Sequence, residues 1–181
     1  MPTWIGLLRA VNLGRNRKVP MQELRRLLEV EGYEQVHTHI QSGNVRVRSS
    51  LRNAQGVEAH LRRAISAEFG FDVPVVVRTP AQLSNLADEA EALESPIGLE
   101  ARRYVTFMTG ELDPAGIRAL HDWDVPTEAA RVLGGRDIVM FLDDGVQGAK
   151  LTHSRVERLT GAVGTARNLT VVRAMAQKWG G

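Results

Sequence analysis

The strongest constraint on the fold is the way apolar spacing changes between residues 4 and 77. Trp4 to Val11 is a short apolar run, which reads as a buried strand. Met21, Leu24, Leu27 and Leu28 then fall at three- and four-residue spacing, giving one apolar helix face, opened by Pro20 and closed by Gly32. Val36 to Ile40 and Val45 to Val47 return to strand character around the turn Ser42-Gly43-Asn44, where Gly43 and Asn44 are expected to take positive φ. A second helical face follows from about Asn53 to Phe69, through Val57, Leu61, Ala64 and Ile65, and Val73 to Val77 is a further strand. The resulting order, strand-helix-strand-strand-helix-strand, is that of a ferredoxin-like split unit.

The same layout recurs downstream. Thr79-Pro80-Ala81-Gln82 is a helix start with a capping hydroxyl, a first-turn proline and a glutamine three residues on, and Ser95-Pro96-Ile97-Gly98 ends that helix. Strands are expected at Tyr104 to Met108, Ala129 to Leu133 and Ile138 to Leu142, with a helix opened by Asp113-Pro114 and a turn at Gly134-Gly135. Two helices are expected at the end, His153 to Thr160 and about Asn168 to Trp179. The fold class is therefore α+β, with two subdomains of ferredoxin-like βαββαβ character and C-terminal helices. The expected division is a first subdomain over 1–80, a linking helix over 81–98 and a second subdomain over 99–181.

Composition narrows the function classes. A chain of 181 residues, 43% apolar and 24% charged, has the make-up of a globular protein rather than a disordered one. It contains no cysteine, which removes disulfides, thiolate nucleophiles and cysteine metal sites. The opening Met1-Pro2-Thr3-Trp4 has no basic region ahead of its short apolar run, so neither an export signal nor a membrane span is expected, and the expected location is the cytoplasm. Net charge is +2 in total, but residues 1–80 carry +5, residues 81–147 carry −8 and residues 148–181 carry +5. Such a bipolar distribution is expected either to draw a phosphate-bearing ligand to one side or to let two copies associate head to tail.

The segment Asn12-Leu13-Gly14-Arg15-Asn16-Arg17-Lys18 concentrates residues that burial does not explain. Glycine permits close backbone approach, asparagine tolerates left-handed geometry, and Arg15, Arg17 and Lys18 carry donors suited to phosphate or carboxylate oxygens. The loop is neither a Walker loop nor a dinucleotide fingerprint, because the glycine spacings and the closing Lys-Ser/Thr are absent. Gln41, Ser42 and Asn44 at the hairpin turn, and Arg167 with Asn168 before the last helix, complete the expected ligand-binding set, and the three segments are expected to line one basic recess. Ser42 lacks the G-x-S-x-G setting of a nucleophile, and His37 and His39 have no nearby carboxylate on their strand, so no catalytic residue, metal site or cofactor is implied. Arg46 and Arg48 alternate with Val45 and Val47, giving a basic sheet face, but without the interleaved aromatics on which RNA-binding sheets stack bases.

The string Leu8-Arg9-Ala10-Val11-Asn12-Leu13-Gly14, then Asn16-Arg17-Lys18-Val19-Pro20-Met21, then Thr38-His39-Ile40-Gln41-Ser42-Gly43-Asn44-Val45, resembles a bacterial family of unknown function, DUF1697. Ala149-Lys150-Leu151 and Thr165-Ala166-Arg167-Asn168 are similar to that family's later motifs, so the resemblance covers nearly the whole length. Ala10, Arg15, His39, Ala149 and Leu169 depart from its pattern. The resemblance implies two α+β subdomains in a bacterial cytoplasmic protein, and imports no reaction. The expected function is binding of a small anionic ligand such as a nucleotide or phosphorylated metabolite. An RNA-binding or protein-interaction module using the basic sheet face, and an enzyme of unknown reaction, are the alternatives.

Overall fold

A computed structural model describes residues 1–98 and 101–180. The chain divides into two units, Met1–Leu83 with Gln177–Gly181, and Ser84–Ala176. The expected start of a second subdomain at residue 99 lies outside the described residues.

The first unit runs β1 (Thr3–Leu8), α1 (Met21–Val30), β2 (Glu34–His39), β3 (Asn44–Arg48), α2 (Ala54–Phe69) and β4 (Val75–Arg78). Its sheet is antiparallel throughout, with strand order β2-β3-β1-β4. Alternation sends Trp4, Leu8, Val45, Val47, Val75 and Val77 to one face, where Leu24 and Leu28 of α1 and Val57, Leu61 and Ile65 of α2 complete the core. Asn53 caps α2, its side chain accepting from the Gly56 amide at 2.7 Å. The helix α3 (Pro80–Ala92) opens with the expected reciprocal cap: Thr79 N donates to Gln82 Oε1 at 2.9 Å and Gln82 N to Thr79 Oγ1 at 3.1 Å.

The second unit repeats the pattern as β5 (Arg102–Met108), α4 (Pro114–His121), β6 (Glu128–Leu133), β7 (Asp137–Leu142), α5 (His153–Thr160) and β8 (Gly164–Asn168), followed by α6 (Leu169–Trp179). Its strand order is β6-β7-β5-β8, the same topology as the first sheet. Met108, Ile138, Met140 and Leu142 pack with Leu120 of α4 and Val156 of α5.

Two local expectations are corrected. Gly164 to Asn168, which leads into the last helix as expected, is itself a strand; it pairs with β5 from Met108↔Gly164 to Tyr104↔Asn168. Its sequence carries no apolar run, so only the pairing partner, some sixty residues earlier, reveals it. At the first hairpin, Gly43 does take positive φ, at +78°, but Asn44 does not; the second left-handed residue is Ile40, at +50°. Asn44 is instead the first residue of β3 and is fully buried, its Nδ2 donating to His39 O and Ser42 Oγ at 3.0 Å each.

Candidate functional site

The segment from Arg9 to Pro20 leaves β1 and returns to α1, and its conformation is set by its own side chains. Asn12 is the centre of the arrangement. Its Nδ2 donates to Val19 O at 2.9 Å and to Gln41 O at 2.7 Å, and its Oδ1 accepts from Val19 N at 2.9 Å. The Asn12 amide donates to Arg17 O at 3.0 Å, closing the loop across its base. One asparagine thus uses both ends of its amide to bind the loop to itself and to the hairpin tip.

Arg17 closes the other side. Nε donates to Ala10 O at 3.0 Å, Nη2 donates to Asp72 O at 2.8 Å, and the guanidinium lies 5.0 Å from the centre of the Phe71 ring. The Asp72 carboxylate in turn receives Arg62 Nε and Nη2, each at 2.6 Å, and these bonds hold it below the usual carboxylate range. Arg17, expected as a charge holder, is thereby occupied in fixing the loop.

The backbone makes the same point. Among described residues, the non-glycine positions with positive φ are Ala10, Asn12, Arg17, Gln35 and Ile40. Four of these lie in the loop or at the hairpin tip, and Gln35 lies at the β2 register shift. A β-branched residue such as Ile40 is an outlier in this region, and each such residue raises the energy by roughly 1–2 kcal/mol. Strained conformations of this kind cluster at functional sites.

The tip is locked onto β1 by Gly43. The Leu8 amide donates to Gly43 O at 2.8 Å, and a Cβ on Gly43 would meet Leu8 Cβ at 2.7 Å and Val11 Cγ2 at 2.6 Å. Only glycine satisfies both the left-handed φ and this approach.

Against this frame, the remaining groups stand out. Arg15, Asn16 and Lys18 are exposed, and among the described residues Arg15 and Lys18 make no hydrogen bond or ion pair. Gln41 contributes its carbonyl to Asn12, and its side chain is exposed. Leu13 at the loop tip is 70% exposed and Ile40 at the hairpin tip is 49% exposed. The loop and tip therefore expose both cationic and apolar side chains on a hydrogen-bonded backbone.

The structure brings Asn12, Arg15, Arg17, Lys18, Gln41, Ser42 and Asn44 into one loop-and-tip assembly within the first unit. Arg167 and Asn168 belong to the second unit. Arg167 is 7% exposed, and its Nη1 donates to Thr165 Oγ1 at 2.9 Å and Ala166 O at 2.8 Å. Burial lowers its pKa to about 10. Asn168 caps α6, its Oδ1 accepting from the Thr170 amide at 2.8 Å.

His39, beside the tip, packs edge-on to Trp179 with ring centres 6.0 Å apart, and its Nδ1 lies 3.1 Å from Lys178 Nζ. Burial lowers its pKa, and repulsion from Lys178 adds to the effect. His37 is exposed, and among the described residues no group of three or more metal-ligating side chains occurs. Nor is any described helix long and apolar enough to cross a membrane.

Two ferredoxin-like units, one bearing an enlarged, internally braced basic loop, define the class. The family model "Protein of unknown function (DUF1697)" matches residues 1–138, and the chain belongs to that family. The later strings at 149–151 and 165–168 lie beyond the matched residues. The chain is similar in fold to a solved structure described as a conserved bacterial protein, SP0830 from Streptococcus pneumoniae, with 23% identity, a TM-score of 0.69 and 97% of each chain covered. No curated protein matches it.

Proposed function

We propose that the loop and hairpin tip of the first unit bind a small phosphate-bearing ligand, such as a nucleotide or phosphorylated metabolite. The observation that carries this reading is the division of labour within the loop. Asn12 and Arg17 are spent on holding a strained backbone, while Arg15 and Lys18 project from it without partners among the described residues. Cations held on a fixed backbone suit phosphate oxygens, because little freedom is lost when the ligand arrives. Gln41 adds a neutral donor and acceptor for orientation, Ser42 and Asn44 shape the tip, and Leu13 and Ile40 offer apolar contact to a base or carbon skeleton. Arg167 and Asn168 are assigned structural work in their own unit.

A nucleic-acid module using the basic sheet face has less support. The face that carries Arg46 and Arg48 also carries Ile5, Leu7 and Val76, which are buried, and the one phenylalanine, tyrosine or tryptophan of its strands, Trp4, lies on the opposite face, so no such ring is offered for bases to stack on.

A thermal-shift screen of nucleotides and phosphorylated metabolites tests the proposal, since a ligand at ~100 times its dissociation constant stabilises the native state by ~2.7 kcal/mol. Arg15→Ala and Lys18→Ala are expected to weaken binding while leaving the unliganded melting temperature unchanged. A hit whose affinity is the same in both variants removes these two side chains from the site, and a screen without hits removes the ligand class.

A further inference from the structure

The first unit contains a cavity of about 480 Å³, a volume typical of small-molecule sites, away from the loop and tip. Its walls come from the end of α1, the exit of β3 and one side of α2, and the polar side chains facing it are Glu31, Tyr33, Ser49, Ser50, His60 and Arg63.

Three of these form a chain. His60 Nε2 lies 3.1 Å from Glu31 Oε2, and His60 Nδ1 lies 2.9 Å from Tyr33 Oη. The carboxylate can only accept, so Nε2 carries the hydrogen; in the neutral ring Nδ1 then accepts from the phenol. The rings of Tyr33 and His60 pack at 5.2 Å between centres, tilted by 32°. Burial raises the Tyr33 pKa, Glu31 raises it further and Arg63 opposes the rise, so the phenol keeps its proton while both charges act on it. A phenol held in this state is a poor nucleophile or acid, and the chain orders the cavity rather than performing chemistry in it.

What remains unengaged is informative. Glu31 and Arg63 do not pair with each other among the described residues, although both line the cavity. Arg63 makes no hydrogen bond or ion pair there, and Glu31 binds His60 through one oxygen, leaving the other. Ser49 accepts the Leu51 amide at 3.1 Å and keeps its hydroxyl hydrogen to donate. Arg63, Ser49 and Ser50 thus supply donors to the cavity wall, and Glu31 supplies an acceptor.

We infer that this cavity binds a small zwitterion of the amino-acid type, its carboxylate held by Arg63 with the Ser49 and Ser50 hydroxyls and its ammonium by Glu31. Opposite formal charges that line one cavity without meeting are bridged by a ligand carrying the complementary pair. A simple anion would meet the like charge of Glu31, and a simple cation that of Arg63. The volume leaves room for a side chain beyond the zwitterionic core.

Titration of the full chain with each of the free L-amino acids, followed by amide NMR, tests this, with acetate and ethylammonium as the two half-ligands. At least one amino acid is expected to bind with a dissociation constant under ~5 mM and to move amides between residues 49 and 63, with each half-ligand at least ~10-fold weaker. Arg63→Gln and Glu31→Gln, both at exposed positions, should each weaken that amino acid ~10-fold or more. Arg15→Ala and Lys18→Ala should leave it unchanged, which separates this site from the proposed phosphate site. The inference is overturned if no amino acid binds under that limit, if acetate binds as tightly as the amino acid, or if affinity is unchanged in either cavity variant.

Discussion

The two units share a strand order and differ at one corner. Between β1 and α1 the first unit inserts twelve residues, Arg9 to Pro20, whereas between β5 and α4 the second needs five, Thr109 to Asp113. The hairpin tips differ as well. Gly134 and Gly135 turn the second with left-handed glycines, while the first places Ile40 in that region. Every non-glycine residue with positive φ among those described lies in the first unit. The shorter version shows what the topology requires, and the added length and strain of the longer version are what the proposed binding role would use.

Other features are common to both units. Asn44 and Asp137 are each the buried first residue of the third strand, and each ties the end of its hairpin to neighbouring backbone: Asn44 through His39 O, Asp137 by accepting the Met108 amide at 3.0 Å. A buried polar side chain at this position belongs to the architecture. That parallel reads Asn44 as a structural residue and leaves the exposed loop residues as the distinguishing set.

The contrast can be broken by substitution. The largest effect is expected at the hairpin tips: Gly43→Ala should destabilise the protein by ~3 kcal/mol through backbone strain and collision with Leu8 and Val11, whereas Gly135→Ala, with open space around it, should lose only ~1 kcal/mol. Equal losses in denaturant unfolding would show that the first tip is no more tightly fitted than the second. Asn12→Ala should follow at ~2 kcal/mol, since it leaves the Val19 amide and two carbonyls without their partner. A neutral result there would mean that the loop does not depend on its asparagine.

The smallest effect concerns pH. His39 has a folded-state pKa below its ordinary 6.5, so as pH falls through that range the unfolded chain takes up the proton first. Stability contributed by the neutral ring is present above that value and declines below it, as an imidazolium would be desolvated and face Lys178. Melting temperature should fall between about pH 7 and about pH 5 less steeply in His39→Gln than in the wild type. Parallel profiles would remove His39 as a contributor.

Much of the fold was legible because its signals are local. Helix starts at Asn53, Thr79-Pro80 and Asp113-Pro114 rest on capping chemistry within four residues, and strands β1, β3 and β7 announce themselves through buried apolar side chains. The strand β8 was not legible, because Gly-Thr-Ala-Arg-Asn has no apolar period and is defined by pairing to β5. The loop was visible as an excess of glycine, asparagine and arginine. Which of its cations are engaged was not, since Arg17 finds Asp72 fifty-five residues away. The cavity group was missed entirely: Glu31 and Tyr33 lie in the connection between α1 and β2 whereas His60 lies on α2, and no spacing in the sequence links the histidine to the other two.

The bracing of the loop by Asn12 also bears on how recognition would register in a calorimeter. A segment whose side-chain amide and guanidinium are already satisfied by backbone groups surrenders little chain entropy on meeting a ligand. Association there should resemble the filling of a mould that has already set, with scant heat-capacity change from folding.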